Sequence, residues 1–158
     1  MKRIYLAGGC FWGMQRFLDS AAGVRRTEVG YANGCKDNPT YQEVKTGTTG
    51  FAEAVLVEYD QETLPLRALL HRFLEVIDPF SLNRQGEDEG EQYRTGIYAE
   101  SEADLAVAMN EIRRLEEESE RKCLVEVLPL VNFWTAEEYH QKYLEKNPTG
   151  YCHIRVKF

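Results

Sequence analysis

At 158 residues with 43% hydrophobic content, the chain is long enough to bury a core and reads as a single domain, residues 1–158. Its formal net charge of −7 at pH 7 argues against a general nucleic-acid or membrane-surface binder, either of which would carry a basic patch. Four dispersed cysteines (Cys10, Cys35, Cys123, Cys152) suit neither a disulfide scaffold nor a CxxC site; with the first apolar run only Ile4 to Ala7, the expected location is the cytoplasm, where thiols rest reduced.

Residues 2–8 read as a strand, after which Phe11, Met14, Phe17, Leu18 and Ala21 recur near the helical period up to Gly23. Thr27 to Ala32 reads as extended, and Asn33 to Pro39 as a loop for its Asn, Gly and Pro content. Ala52 to Tyr59 alternates as a strand does. Pro65 and Asp78-Pro79 bracket a helix with the stripe Leu66, Leu69, Leu70, Phe73, Val76 and Ile77. Arg94 to Ala99 is a strand after a polar loop, and Ser101 with Asp104 suggests a capping box opening a long helix to Lys122. Leu124 to Leu128 then reads as a strand. Thr135-Ala136-Glu137-Glu138 reads as the capping box of a last short helix to Lys146, before Asn147-Pro148-Thr149-Gly150 breaks the chain and a tail, Tyr151 to Phe158, follows.

This order, β-α-β-β-α-β-α-β, begins with the six elements of the split βαβ unit. The expected fold is therefore α+β: a two-layer α/β sandwich on a ferredoxin-like core, with a mixed sheet, extra helices and a loop-rich C-terminal tail.

Chemistry points first to Gly8-Gly9-Cys10-Phe11-Trp12-Gly13, where one cysteine stands between a strand and a helix. An isolated cysteine is most often a small buried hydrophobe, but a structural one needs no glycines on both sides. Free N–H groups at the helix start favour the thiolate, so a low-pKa nucleophile is expected. On the strand from Ala52, Glu53 shares parity with Val55, Val57 and Tyr59. Burying that face buries the carboxyl, and desolvation turns a glutamic acid into a proton donor near neutral pH. Two polar segments, Asn38-Pro39-Thr40-Tyr41 and Arg84 to Arg94, carry Tyr41 and Tyr93, whose hydroxyls can donate to an oxygen without adding charge.

Taken in order, Gly9-Cys10-Phe11-Trp12-Gly13, Gly30-Tyr31, Asn38-Pro39-Thr40-Tyr41, Ala52-Glu53, Gln85-Gly86-x-Asp88-x-Gly90-x-Gln92-Tyr93-Arg94 and Gly150-Tyr151-Cys152 resemble the peptide-methionine (S)-S-oxide reductases, the A-type methionine sulfoxide reductases. The resemblance runs from Ile4 to His153. It implies reduction of the S epimer of methionine sulfoxide, free or in proteins, by a monomer without bound cofactor or metal. Cys10 would attack the sulfoxide sulfur and Glu53 would protonate the departing oxygen, held by Tyr41 and Tyr93. Phe11 and Trp12 would receive the methyl group, and Asp88 would engage the substrate backbone. Cys10 would pass through a sulfenic acid to a disulfide reduced by thioredoxin or a similar dithiol. Cys152 is the preferred resolving thiol, since a tail after Asn147-Pro148-Thr149-Gly150 is expected to be mobile enough to reach Cys10; Cys35 is the second choice, and Cys123 is expected to be structural.

The chain departs from the family pattern at Phe51, where histidine is usual, at Asn33 in place of a glycine, and in its short end at Phe158. Phe51 shares parity with Glu53 and is expected to dry the acid further. The alternative reading is a cysteine hydrolase or acyltransferase in which His140 or His153 activates Cys10. A metal or sensor module built on His71, His140 and His153 is disfavoured by their spacing.

Overall fold

The computed structural model of the protein describes residues 1–154 and 156–158. In chain order its elements are β1 (Lys2–Ala7), α1 (Phe11–Asp19), β2 (Val24–Ala32), α2 (Tyr41–Lys45), β3 (Ala52–Tyr59), α3 (Leu66–Val76), β4 (Arg84–Gln85), β5 (Asp88–Glu89), β6 (Gly96–Ala99), α4 (Glu102–Ser119), β7 (Glu126–Pro129), β8 (Phe133–Thr135) and α5 (Tyr143–Lys146), with 3₁₀ turns at Glu91–Tyr93 and Glu138–His140.

The main sheet has the order β7-β6-β1-β3-β2-β8. Its four inner strands are antiparallel to one another, with β3 inserted between β1 and β2, which is the split βαβ arrangement. β7 adds parallel to β6 and β8 antiparallel to β2, so the finished sheet is mixed. The alternation of β3 decides what each face holds. Val55, Val57 and Tyr59 point into the main core with Ile4 and Leu6 of β1, Met14, Phe17 and Leu18 of α1, and Leu69, Leu70 and Phe73 of α3. Ala52, Ala54 and Leu56 point the other way, into a small cluster with Tyr5 and Tyr98. Burying each large side chain of that main core stabilises the fold by about 2 kcal/mol, so α1, and Cys10 at its start, is held firmly on the sheet.

Several expectations are corrected. Between the Asn33 to Pro39 loop and β3, where the sequence pattern assigns no element, α2 forms, opened by a capping box in which the Thr40 hydroxyl accepts from the Glu43 amide and the Glu43 carboxylate from the Thr40 amide. At α4 the Ser101 hydroxyl accepts from the Asp104 amide, but the Asp104 carboxylate pairs with Lys2, and the helix ends at Ser119 rather than Lys122, with Glu120 turned to φ 57°. β7 begins at Glu126, two residues later than expected. The single helix expected from Thr135 to Lys146 does not exist. Thr135 belongs to β8, pairing with Gly30, and its hydroxyl is taken by Glu28. The chain then breaks at Lys142, φ 54°, because the Gln141 side chain bonds the backbone of Val29 in both directions. The tail is also anchored: Phe158 donates its amide to Ser20 and packs its ring on Phe17.

Candidate active site

Cys10 is the N-cap of α1, 8% exposed, at the point where the chain leaves β1. Gly9 makes the turn at φ 81°; a Cβ there would also stand 2.7 Å from Gln85 and 2.9 Å from His153. A Cβ at Gly13 would stand 3.0 Å from the Cys152 sulfur, so the second glycine is what admits the tail to the first turn of α1.

Glu53 enters from β3. It is 2% exposed, and its Oε1 accepts a hydrogen bond from the Phe11 amide, 3.2 Å. Burial drives its carboxyl up to about 8; the Phe11 bond opposes and the nearby Asp88 adds to the rise. The expectation of an acid that keeps its proton at neutral pH is met.

The expectation of a low-pKa thiol is not. Burial, followed by the charge on Glu53, pushes the Cys10 thiol well above its ordinary range, and the amides of Trp12 and Gly13 oppose this without prevailing. Helix-terminus stabilisation is modest, whereas removing a thiolate from water costs more. Cys10 therefore rests as a thiol. The Glu53 contribution vanishes whenever Glu53 is protonated.

Tyr41 and Tyr93 face the same space. Burial and then the Glu53 carboxyl push the Tyr41 hydroxyl up to about 12, its neighbours including Cys10 and Tyr93. Tyr93 is raised by burial and by Glu53, Tyr41, Asp88 and Cys10. Both are uncharged donors at any working pH. Tyr41 is placed by Glu137, whose carboxylate accepts from the Tyr41 amide, 3.0 Å, and from the Tyr31 hydroxyl, 2.7 Å. Tyr93 and Asp88 ride on the Arg84 to Arg94 segment, which is stapled at both ends. Gln85 bonds the amide and carbonyl of Asp78, and Arg94 donates to the Gly50 carbonyl, 2.9 Å, and to Glu126, 3.2 Å. Arg94 thus ties the loop to the entry of the strand that carries Glu53.

Asp88 is raised by burial, with the Tyr151 hydroxyl opposing, and its Oδ2 is buried without a partner among the described residues. An acceptor of that kind fits an N–H group from outside. Phe51 is 1% exposed in the main core and lies over Gly34, where a Cβ would meet its ring at 2.2 Å.

Phe11 and Trp12 form the expected aromatic wall, but it is larger than the motif suggested. Trp12 stacks on Tyr143 with centroids 3.8 Å apart. His140, 1% exposed, sits between Phe11 and Tyr41 and accepts from the Trp12 indole N–H at its Nδ1, 2.9 Å. Burial lowers its pKa, against the pull of Glu137, so it is neutral at pH 7. Sequence reading missed His140 and Tyr143 as parts of this wall because a continuous helix was expected there; the aromatic run Tyr139, His140, Tyr143 was the available signal.

The remaining thiols differ sharply. Cys152 is half-buried and lies against Gly13. Cys35 is exposed beside Gly50, where a Cβ would be 3.8 Å from its sulfur. Cys123 is buried in the main core, as expected of a structural residue. The histidine-activated alternative is not favoured: among the described residues no hydrogen bond joins Cys10 to a histidine, His140 Nδ1 being engaged by Trp12 and His153 Nε2 by the Gly8 carbonyl, 2.7 Å, while His140 Nε2 and His153 Nδ1 are buried without a partner. Among the described residues no group of three or more His, Cys, Asp or Glu side chains gathers to hold a metal, and no helix is long and apolar enough to cross a membrane.

The sequence profile of the family described as peptide methionine sulfoxide reductase matches residues 2–158. A relative from Clostridium perfringens, a peptide methionine sulfoxide reductase MsrA, is 54% identical over 156 residues, 99% of each chain. The reduced form of Mxr1 from Saccharomyces cerevisiae superposes with a TM-score of 0.93 at 38% identity, covering 99% of this chain and 92% of that one. Mxr1 in its complex with Trx2 superposes at 0.67 with 25% identity over 99% of this chain and 90% of its own.

Proposed function

From the premise that the chain belongs to the peptide methionine sulfoxide reductase family, we propose that it reduces the S epimer of methionine sulfoxide, free or in proteins, at the site that Cys10 and Glu53 share. One observation carries the assignment of roles: a buried carboxyl raised to about 8 in the same space as a buried thiol and two neutral hydroxyls. A cysteine hydrolase calls first for a base beside its thiol, and a carboxyl that keeps its proton is not one. A sulfoxide oxygen, however, leaves sulfur only when it is protonated.

In this reading Tyr41 and Tyr93 donate to the sulfoxide oxygen while the methyl group rests on Phe11 and Trp12, and Asp88 accepts from the substrate's backbone N–H. Hydrogen bonding draws electron density from sulfur, and the Cys10 sulfur attacks it. Glu53 passes its proton to the oxygen and recovers one from the Cys10 thiol. The net change is transfer of one oxygen atom: methionine departs and Cys10 is left as sulfenic acid. Cys152 then attacks that sulfur, water leaves, and a Cys10–Cys152 disulfide forms; a dithiol reduces it. The Trx2 complex of the yeast relative supports thioredoxin as that dithiol. All of these groups come from one chain and no bound cofactor enters the balance, so a monomer working where thiols are kept reduced, as in the cytoplasm, is the proposed unit.

The test is a single turnover with one sulfoxide epimer, followed by peptide mass spectrometry. One methionine per enzyme and a Cys10–Cys152 bond are expected with the S epimer. A Cys10–Cys35 bond would move the resolving role, and methionine formation by Cys10→Ser would overturn the scheme.

A further inference from the structure

Arg16 projects from α1 toward the tail and takes no part in the scheme above. Its Nη2 donates to the Cys152 sulfur at 3.1 Å and to the Ile154 carbonyl at 3.3 Å, and the Cys152 thiol donates to that same carbonyl. Ile154 is buried in the main core, so this triangle is fixed at one corner. The tail has other fastenings that leave the sulfur alone: Arg72 donates to the Lys157 carbonyl, 2.7 Å, and Phe158 to Ser20, 2.8 Å. Arg16 thus both fastens the tail at Ile154 and sets a guanidinium on the sulfur. A cavity of about 390 Å³, lined by Arg16 and residues 148–152, opens at the same place.

A guanidinium remains charged at any working pH and makes charge-assisted hydrogen bonds to anions. A thiolate, not a thiol, is the attacking species in disulfide formation. We propose that Arg16 is a catalytic residue of the resolving step, its guanidinium orienting the Cys152 sulfur and stabilising the negative charge that develops there as the thiol gives up its proton and attacks the Cys10 sulfenic sulfur. The Cys152 electron pair forms the S–S bond as the S–O bond breaks. Hydroxide leaves with the S–O pair and takes up the proton that Cys152 lost, as water; no outside oxidant or reductant enters. The proposal rests on the resolving role given to Cys152.

The test uses the full chain as Arg16→Lys, Arg16→Gln and Arg16→Met, with thermal unfolding to confirm folding. Single turnovers with methionine sulfoxide are quenched and read for methionine and for the Cys10–Cys152 disulfide; separately, the reduced enzyme is alkylated with iodoacetamide and Cys152 modification is followed by mass spectrometry. Methionine formation should stay within about twofold of wild type in all three, while disulfide formation should slow by about tenfold or more in Gln and Met and much less in Lys, which keeps the charge. Cys152 alkylation should slow in the same order. If Arg16 only covers the sulfur, its removal will expose Cys152 and alkylation will speed up instead; that result, or an unchanged disulfide rate, overturns the proposal while leaving Cys152 as the resolving thiol. If the wild-type enzyme forms no Cys10–Cys152 bond, the resolving role and the Arg16 proposal fall together.

Discussion

Replacing Glu53 by glutamine should slow the reaction severely and yet stabilise the protein, by an amount that depends on pH in a defined way. The glutamine keeps the oxygen that accepts from the Phe11 amide but never ionises. In the wild type the carboxyl is raised from 4.5 to about 8 by burial, so between those values the unfolded chain releases a proton that the folded one keeps. Stability of the wild type then falls as pH rises, by about 1.4 kcal/mol per pH unit. Below pH 4.5 the two proteins should be alike; at pH 7 the variant should lead by about 3 kcal/mol, and above pH 8, where both states are ionised, the lead should level at about 5 kcal/mol. Urea unfolding of both proteins at one-unit steps from pH 4.5 to 9 measures this directly. Parallel stability curves, or a variant less stable than wild type at pH 8, would refute the argument that burial is what chiefly holds the proton. Activity of the wild type should fall as pH rises through about 8 as the acid is lost, and the variant should be slower by about 100-fold or more at pH 7.

Removing either hydroxyl, as Tyr41→Phe or Tyr93→Phe, should slow methionine formation by about tenfold, and removing both by about 100-fold or more, with the number of sulfenic acids formed per enzyme unchanged once the reaction completes. Gly34→Ala drives a methyl group into the buried Phe51 ring at 2.2 Å and should lower stability by about 1–3 kcal/mol in chemical unfolding; Gly47→Ala, where a Cβ meets nothing within 4 Å, is the control for space, though its φ of 75° carries a cost of its own. His140→Phe removes the acceptor for the Trp12 indole N–H and should raise KM for methionine sulfoxide more than it lowers the single-turnover rate, measured over a range of substrate concentration. Cys123→Ala should leave turnover intact and cost about 1–2 kcal/mol of stability through the small space it opens in the core.

Much of this protein follows from local pattern. The parity of Glu53 with Val55, Val57 and Tyr59 placed the acid on the helix-bearing face before any contact was known, because alternation along a strand is a property of the backbone. The glycines around Cys10 marked the strand-to-helix turn, and the Leu66 to Val76 stripe marked its helix, for the same kind of reason. Local pattern failed where a distant segment competes for the same groups. Thr40-Tyr41-Gln42-Glu43 and Thr135-Ala136-Glu137-Glu138 carry the same capping signature, yet only the first caps a helix. The second is drawn into β8 by Gly30 and Glu28, more than a hundred residues away, and its Glu137 is spent on Tyr31 and Tyr41.

The same division runs through the site. Cys10, Glu53, Tyr41 and Tyr93 stood out as candidates from their types and positions, and Asp88 from the family resemblance. How Cys10 is charged at rest, that His140 and Tyr143 complete the aromatic wall, and that Arg16 meets Cys152 were decided only by tertiary structure. A helix start favours a thiolate through its own amides, but the cost of burying that charge is set by everything packed around it, and packing joins residues that the chain holds far apart.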